Sequence, residues 1–337
     1  MYKLKQWIDV DKLDFRYISS IKNINIILFL EKNIDKINWT ELSRNPNAID
    51  LLEKYPNKIY FSALSYNPNS LHLLENNLDK IDWCWLSINP CAIRILEKNI
   101  DKINWSMLSR NENALPLLKK NFHKIDWIML SCNSNALYLL EQNIDKIYWY
   151  NISANPNAIH LLEKNLDKVD WSMLSSNPSA LHLLEKNLNK IDWSVLSRNL
   201  NAMYLLEQNY DKIDWYILSR NPSAISLLEK NIDKIDWNML SSNRNAIYLL
   251  EKNPDKINWT YLSCNPSAIH LLEKNIDKIH WSLLSQNESI FELDIDFLHE
   301  KCNIFREELI IKTLNPSKII KLLNQEGVEL DNLEDYL

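Results

Sequence analysis

The chain has 337 residues, 46 % hydrophobic and 24 % charged, which is enough apolar material for a folded body. A single glycine, Gly327, nearly excludes Rossmann folds, P-loops and hairpin-rich β proteins, which need glycine for tight turns and phosphate cradles. Net charge is −6, and residues beyond Phe291 carry the whole excess, eleven acidic against five basic; the balanced remainder is a poor electrostatic match for nucleic acid or an anionic membrane.

Residues 1–14 open the chain as an N-terminal cap. Their start, Met-Tyr-Lys-Leu-Lys-Gln-Trp, lacks the apolar core of a signal peptide. The longest apolar run, Ile26 to Leu30, is too short to span a bilayer. Five cysteines (Cys84, Cys91, Cys132, Cys264 and Cys302) stand without CxxC or other metal spacing, which fits a reducing compartment. The expectation is a cytoplasmic protein, neither secreted nor membrane-inserted.

Residues 15–293 are a tandem repeat. Trp39, Trp83, Trp105, Trp127, Trp149, Trp171, Trp193, Trp215, Trp237, Trp259 and Trp281 keep a spacing of 22, with Phe61 filling the one gap; a looser copy starts at Phe15 and reaches Trp39 after 24 residues. Each unit carries two helix signatures. One starts at Asn-Pro, as in Asn45-Pro46 or Asn177-Pro178, where Asn caps and Pro suits the first helical position. Ala48, Ile49, Leu51 and Leu52 then give one apolar face, and the helix ends near Lys54. In later copies an Asn follows (Asn77, Asn99, Asn165), predicting a left-handed stop in place of the usual glycine. The other, shorter helix begins at Trp; Asp82 or Asp170 can cap it, and Trp171 with Leu174 forms an apolar pair. No stretch alternates at period two, so strands fit badly.

One such hairpin has too little core to stand alone, and stacking copies makes a continuous one. Ala fills one column in ten of twelve copies, letting helices approach closely, and gives way to Ile290 in the last. The fold class is therefore all-α: an α-solenoid, a superhelix of about twelve two-helix repeats. At helix spacings of about 8–10 Å it makes a rod or superhelix roughly 100 Å long. After Leu293, residues 296–314 form a longer amphipathic helix with Phe297, Leu298, Phe305, Leu309 and Ile310. Asn315-Pro316 starts another, carrying Ile319, Ile320, Leu322 and Leu323 and stopped by Gly327. Residues 294–337 are thus a helical C-terminal cap.

The motif Leu-Ser-x-Asn-Pro-Asn-Ala-Ile-x-Leu-Leu-Glu-Lys-Asn-x-Asp-Lys-Ile-x-Trp resembles the short Asn- and Trp-containing repeats of large amoeba- and alga-infecting DNA viruses, over about residues 15–293. It is more distantly similar to leucine-rich-repeat-variant solenoids, through the Asn-Pro start and paired leucines. The resemblance implies an α-solenoid and a viral or virus-derived origin. It carries over no functional residue.

Repeated residues argue for architecture, since a catalytic site needs one asymmetric constellation. The Ser column (Ser43, Ser65, Ser87 onward) reads as hydroxyls bonded to backbone, and the Trp column as core. The Glu-Lys and Asp-Lys pairs, as in Glu163, Lys164, Asp167 and Lys168, read as a solvated charge ladder. Positions that vary against this background are the informative ones. An exposed row runs through His72, Arg94, Tyr138, His160, His182, Tyr204, Tyr248 and His270, with Asp50, Pro116 and Ser226 between them, and suits a protein partner. A second row follows the Ser column: Arg44, Tyr66, Ile88, Arg110, Cys132, Ala154, Ser176, Arg198 and Arg220. Drift on a solvated face is the competing account of both. No metal site or cofactor is expected, because the histidines recur a repeat or more apart. The function expected is a non-enzymatic protein-interaction scaffold, possible settings being virus–host contact or the virion. Modular nucleic-acid binding is the alternative, disfavoured by the balanced charge.

Overall fold

The computed structural model describes residues 2–313. The second tail helix, from Asn315-Pro316 to Gly327, lies outside the described residues. The chain divides into two units, residues 6–290 and residues 1–5 with 291–337.

The larger unit is an α-solenoid of short two-helix repeats, and one repeat shows how the sequence builds it. Asn104 Oδ1 accepts from the Met107 N–H at 3.1 Å and caps the Trp helix, Trp105–Arg110. Asn111 then holds an extended backbone, and its side chain accepts from the Asn113 N–H at 3.0 Å, turning the chain into the Leu-Leu helix, Leu115–Lys120. Leu108, Ala114, Leu117 and Leu118 are buried between the layers. Fully burying a leucine contributes about 1.5–3 kcal/mol, so these columns dominate the energetics. The stop differs from the expected one. Asn121 sits at φ −123°, ψ 47°, on the ordinary side of the map, and Asn77 and Asn99 do likewise. Asn121 ends the helix with its side chain instead, Nδ2 donating to the Leu117 carbonyl at 2.9 Å. A one-turn 3-10 helix, Phe122–Lys124, completes the unit.

Neighbouring repeats are joined by the polar columns. Ser109 Oγ donates to the Trp105 carbonyl at 2.8 Å and accepts from the Asp126 N–H of the next repeat at 3.0 Å. Asn133 Nδ2 donates back to the carbonyls of Ser109 and Asn111 at 3.1 and 3.0 Å. Ser109 and Asn133 are buried, and these bonds meet the requirement that buried polar groups find partners. The Trp column is half-buried rather than lost to the core. A lysine of the closing 3-10 turn covers most of these rings, as Lys190 Nζ does at 4.5 Å from the Trp171 ring centre and Lys102 at 4.9 Å from Trp83. These lysines of the Asp-Lys pairs are therefore ring contacts, not rungs of a solvated ladder.

The two layers differ in crowding. Successive Trp helices pack directly on one another, Trp83–Ile88 on Trp105–Arg110 for example, whereas successive Leu-Leu helices make at most marginal contact. In a curved stack the closer layer is the inner one, so the Trp helices line the concave side. That curvature runs to completion. Ser285, in the last repeat, accepts from the Asp14 N–H at 2.8 Å, and Lys12 Nζ lies 5.0 Å from the Trp281 ring centre. The first is the bond every repeat makes to its successor, and the second recurs in most copies. The expected capped rod or superhelix thus closes on itself within residues 6–290, the last repeat meeting the first.

In the smaller unit, β1 (Tyr2–Leu4) and β2 (Phe291–Leu293) pair antiparallel, with Tyr2 opposite Leu293 and Leu4 opposite Phe291. Strands of three residues are too short to leave an alternating pattern. Lys5 pairs with Glu292 at 3.2 Å and Lys3 with Asp296 at 3.3 Å. A helix follows over Ile295–Thr313, with Phe297 and Leu298 half-buried and Phe305 exposed.

Candidate partner surfaces

The row favoured by the sequence lies on the Leu-Leu helices, the outer layer. Its tyrosines are well exposed: Tyr138, Tyr204 and Tyr248 are 65 %, 64 % and 57 % exposed. Its histidines are tied down. His72 Nε2 meets Glu53 at 2.7 Å, His182 meets Glu163 at 2.8 Å, His270 meets Glu251 at 2.9 Å, and His160 meets Glu141. In each case the glutamate belongs to the preceding repeat, so the pair spans the joint between copies. Arg94 is exposed and has no hydrogen bond or salt bridge among the described residues. No hydrogen bond joins two members of the row, which is a line of single residues one repeat apart and not a cluster.

The second row lies at the C-terminal ends of the Trp helices, on the inner side. Leu86 and Ser87 of such a helix are buried, which leaves the positions just before and after them to face outward from the core. Grooves form there between consecutive helices. One of about 440 Å³ is bounded by Arg198, Leu200, Tyr216, Arg220, Pro222 and Met239. A smaller one beside it shares Arg198 and Ile217. A third, of about 370 Å³, lies among Tyr66, Trp85, Ile88 and Arg110, where Tyr66 and Trp85 meet edge to face at 5.7 Å.

The charges on this face are of two kinds. Arg44 is paired with Glu41 at 3.4 Å, and Arg16 with Asp14 at 2.7 Å. The guanidiniums of Arg110, Arg198 and Arg220 have no hydrogen bond or salt bridge among the described residues. The sequence itself carries a signal for this face, in where its arginines fall. Of eight arginines, six (Arg16, Arg44, Arg110, Arg198, Arg220 and Arg244) fall on a Trp helix or the turn after it, while lysine, far commoner, takes the other positions. Arginine is the better donor for planar two-point recognition of carboxylate or phosphate, so its segregation marks a face.

Residues 119–298, more than half of the chain, match the family model described as Periplasmic copper-binding protein (NosD). The chain belongs to the NosD family. No curated protein and no solved structure matches it. The family's name directs attention to copper, and the NosD match can be tested on the donors present. Among the described residues no three His, Cys, Asp or Glu side chains come together to hold a metal ion. Within the matched stretch His160, His182 and His270 are each bonded to a glutamate of the preceding repeat, and the Cys264 thiol donates to the Tyr261 carbonyl at 3.2 Å. Copper selects convergent imidazole or thiolate sets, and this lattice separates its donors by a repeat or more. The residues of this NosD-family chain do not fit a copper site. No helix among the described residues is long and apolar enough to cross a membrane.

Proposed function

We propose that the chain is a non-enzymatic scaffold whose inner face holds a protein partner. The observation that carries this reading is the groove of about 440 Å³ at Arg198, Tyr216 and Arg220, where an otherwise repetitive lattice opens and presents unpaired guanidiniums beside apolar surface. The Ser hydroxyls and most of the ladder Asn side chains, by contrast, are engaged at the joints between copies. The resemblance of the repeat to those of large DNA viruses makes an infected cell's cytoplasm the setting in which to look for the partner. A second reading puts the partner on the outer row, favoured by the exposure of Tyr138, Tyr204 and Tyr248.

Affinity capture from native cells with the intact chain tests both. Loss of a stoichiometric protein partner on changing Arg198 and Arg220 to Gln supports the inner face. Loss on changing the three tyrosines to Ala moves the partner to the outer row. Retention of nucleic acid alone at moderate salt replaces the scaffold reading with modular nucleic-acid binding.

A further inference from the structure

We propose that the groove around Arg198 and Arg220 binds an extended acidic peptide segment; this rests on the reading of the repeats as a protein-binding scaffold. The two guanidiniums come from equivalent positions of consecutive Trp helices, and neither has a salt-bridge partner among the described residues. Helices packed side by side lie about 8–10 Å apart. A peptide in the extended polyproline II form advances about 3.1 Å per residue with three residues per turn, so carboxylates three residues apart share a face and meet one guanidinium each. Each can be held by two parallel N–H donors. Between the arginines the wall is Leu200, Tyr216, Ile217 and Pro222, with Met239 beyond. That surface seats the apolar side chains an acidic peptide carries between its carboxylates.

The same face argues against a nucleic-acid strand. The row is basic only in places: Cys132, Ala154 and Ser176 separate Arg110 from Arg198, so a phosphate track has no continuous partner. The Trp helices that carry the arginines begin with Asp192 and Asp214, whose carboxylates cap them and also accept from Ser172 and Ser194 at 2.7 Å. A polyphosphate running along those helices would meet that acidic edge. A short peptide confined to the groove does not.

The test is fluorescence anisotropy of the full chain with a fluorescein-labelled peptide of repeated Glu-Leu-Gly units. Binding is expected to saturate, and to weaken by at least about tenfold in Arg198→Gln/Arg220→Gln, since each charge-assisted contact exceeds a factor of ten in affinity. The same loss is expected when the peptide's glutamates are replaced by glutamine. The triple variant Tyr138→Ala/Tyr204→Ala/Tyr248→Ala binds as the wild type does. Circular dichroism and melting curves that match the wild type show that the arginine variant is folded. Absence of saturable binding, or equal binding by the glutamine variant, overturns the proposal. So does tighter, arginine-dependent binding of a labelled oligothymidylate. A chain that captures a partner from cells but ignores the peptide refutes this inference alone, whereas one that captures nothing refutes the scaffold reading.

Discussion

The backbone N–H of Asp14 donates to the hydroxyl of Ser285 at 2.8 Å, across 271 positions of sequence. The other bonds of this kind join a repeat to its successor, as Asp82 to Ser65 at 3.0 Å and Asp236 to Ser219 at 3.0 Å. In native-state hydrogen exchange the Asp14 amide should therefore be protected to the degree of the Asp82 amide, although it lies near the start of the chain. Ser285→Ala should cost about 1 kcal/mol, as Ser65→Ala does, because each leaves one amide without its acceptor. Fast exchange at Asp14 beside slow exchange at Asp82 would mean an open ring.

Acid should loosen this joint. The Arg16 guanidinium bonded to Asp14 holds its carboxyl below the ordinary value of 3.8, helped by the Arg16 backbone N–H and the Ser282 hydroxyl and opposed by partial burial. The folded-state pKa is the lower one. The stability it contributes is thus fully present above the unfolded value and is lost as pH falls below it through the folded pKa. Asp14→Asn removes that contribution, so wild type and variant should converge in melting temperature as pH drops from about 5 towards 2. Parallel curves across that window would separate Asp14 from the acid response.

Much of this architecture is legible in the residues. The Leu columns, the Ser hydroxyls and the Asn and Asp caps recur in register, and each does locally what its chemistry predicts. Closure is not legible. It depends on a rotation per repeat that no residue type encodes, and so on whether Lys12 and Asp14, at the start of the looser first copy, come round to the last one. The stop at Asn121 is misread for a similar reason: Asn can end a helix through its backbone or through its side chain, and spacing does not tell these apart. The candidate surface divides the same way. Variable positions are visible in the sequence, but inner and outer depend on which helix layer is the more crowded. The His row looked free because its glutamate partners lie 19 positions back, outside any local pattern.

The asparagine ladder should be the stiffest joint between copies, and it has two gaps, at Asn155 and at Ile21, which takes the asparagine's place in the first copy. Asn133→Ala leaves the Ser109 carbonyl without this donor and the Asn135 N–H without its acceptor, while the Asn111 carbonyl keeps the Ala114 N–H. A loss of about 2–4 kcal/mol is expected, since an unmet buried group costs about 1–3 kcal/mol. Asn155 makes only the capping bond, accepting from the Asn157 N–H at 2.9 Å, and its side-chain amide donates to no described residue. Asn155→Ala should cost about 1 kcal/mol, the worth of a cap. Chemical denaturation of the two variants compares them directly. Equal losses would mean that the ladder bonds add nothing to the cap.

The lysines that cover the indoles should be separable from those that face water. Lys190 lies over Trp171 at 4.5 Å, while the side chain of Lys164, beside Glu163 in sequence, makes no hydrogen bond, ion pair or ring contact among the described residues. Adjacent residues on a helix do not face each other, so the Glu163-Lys164 pair has no geometry for an ion pair. Lys190→Met keeps the apolar stem over the ring and removes only the charge, and should cost about 0.5–1 kcal/mol. Trp171 is half-buried, so its fluorescence should respond as well. Lys164→Met should change neither melting temperature nor emission. If both substitutions prove neutral, the ring contact adds nothing that the stem alone does not supply, and the lysine column reverts to a solvated row.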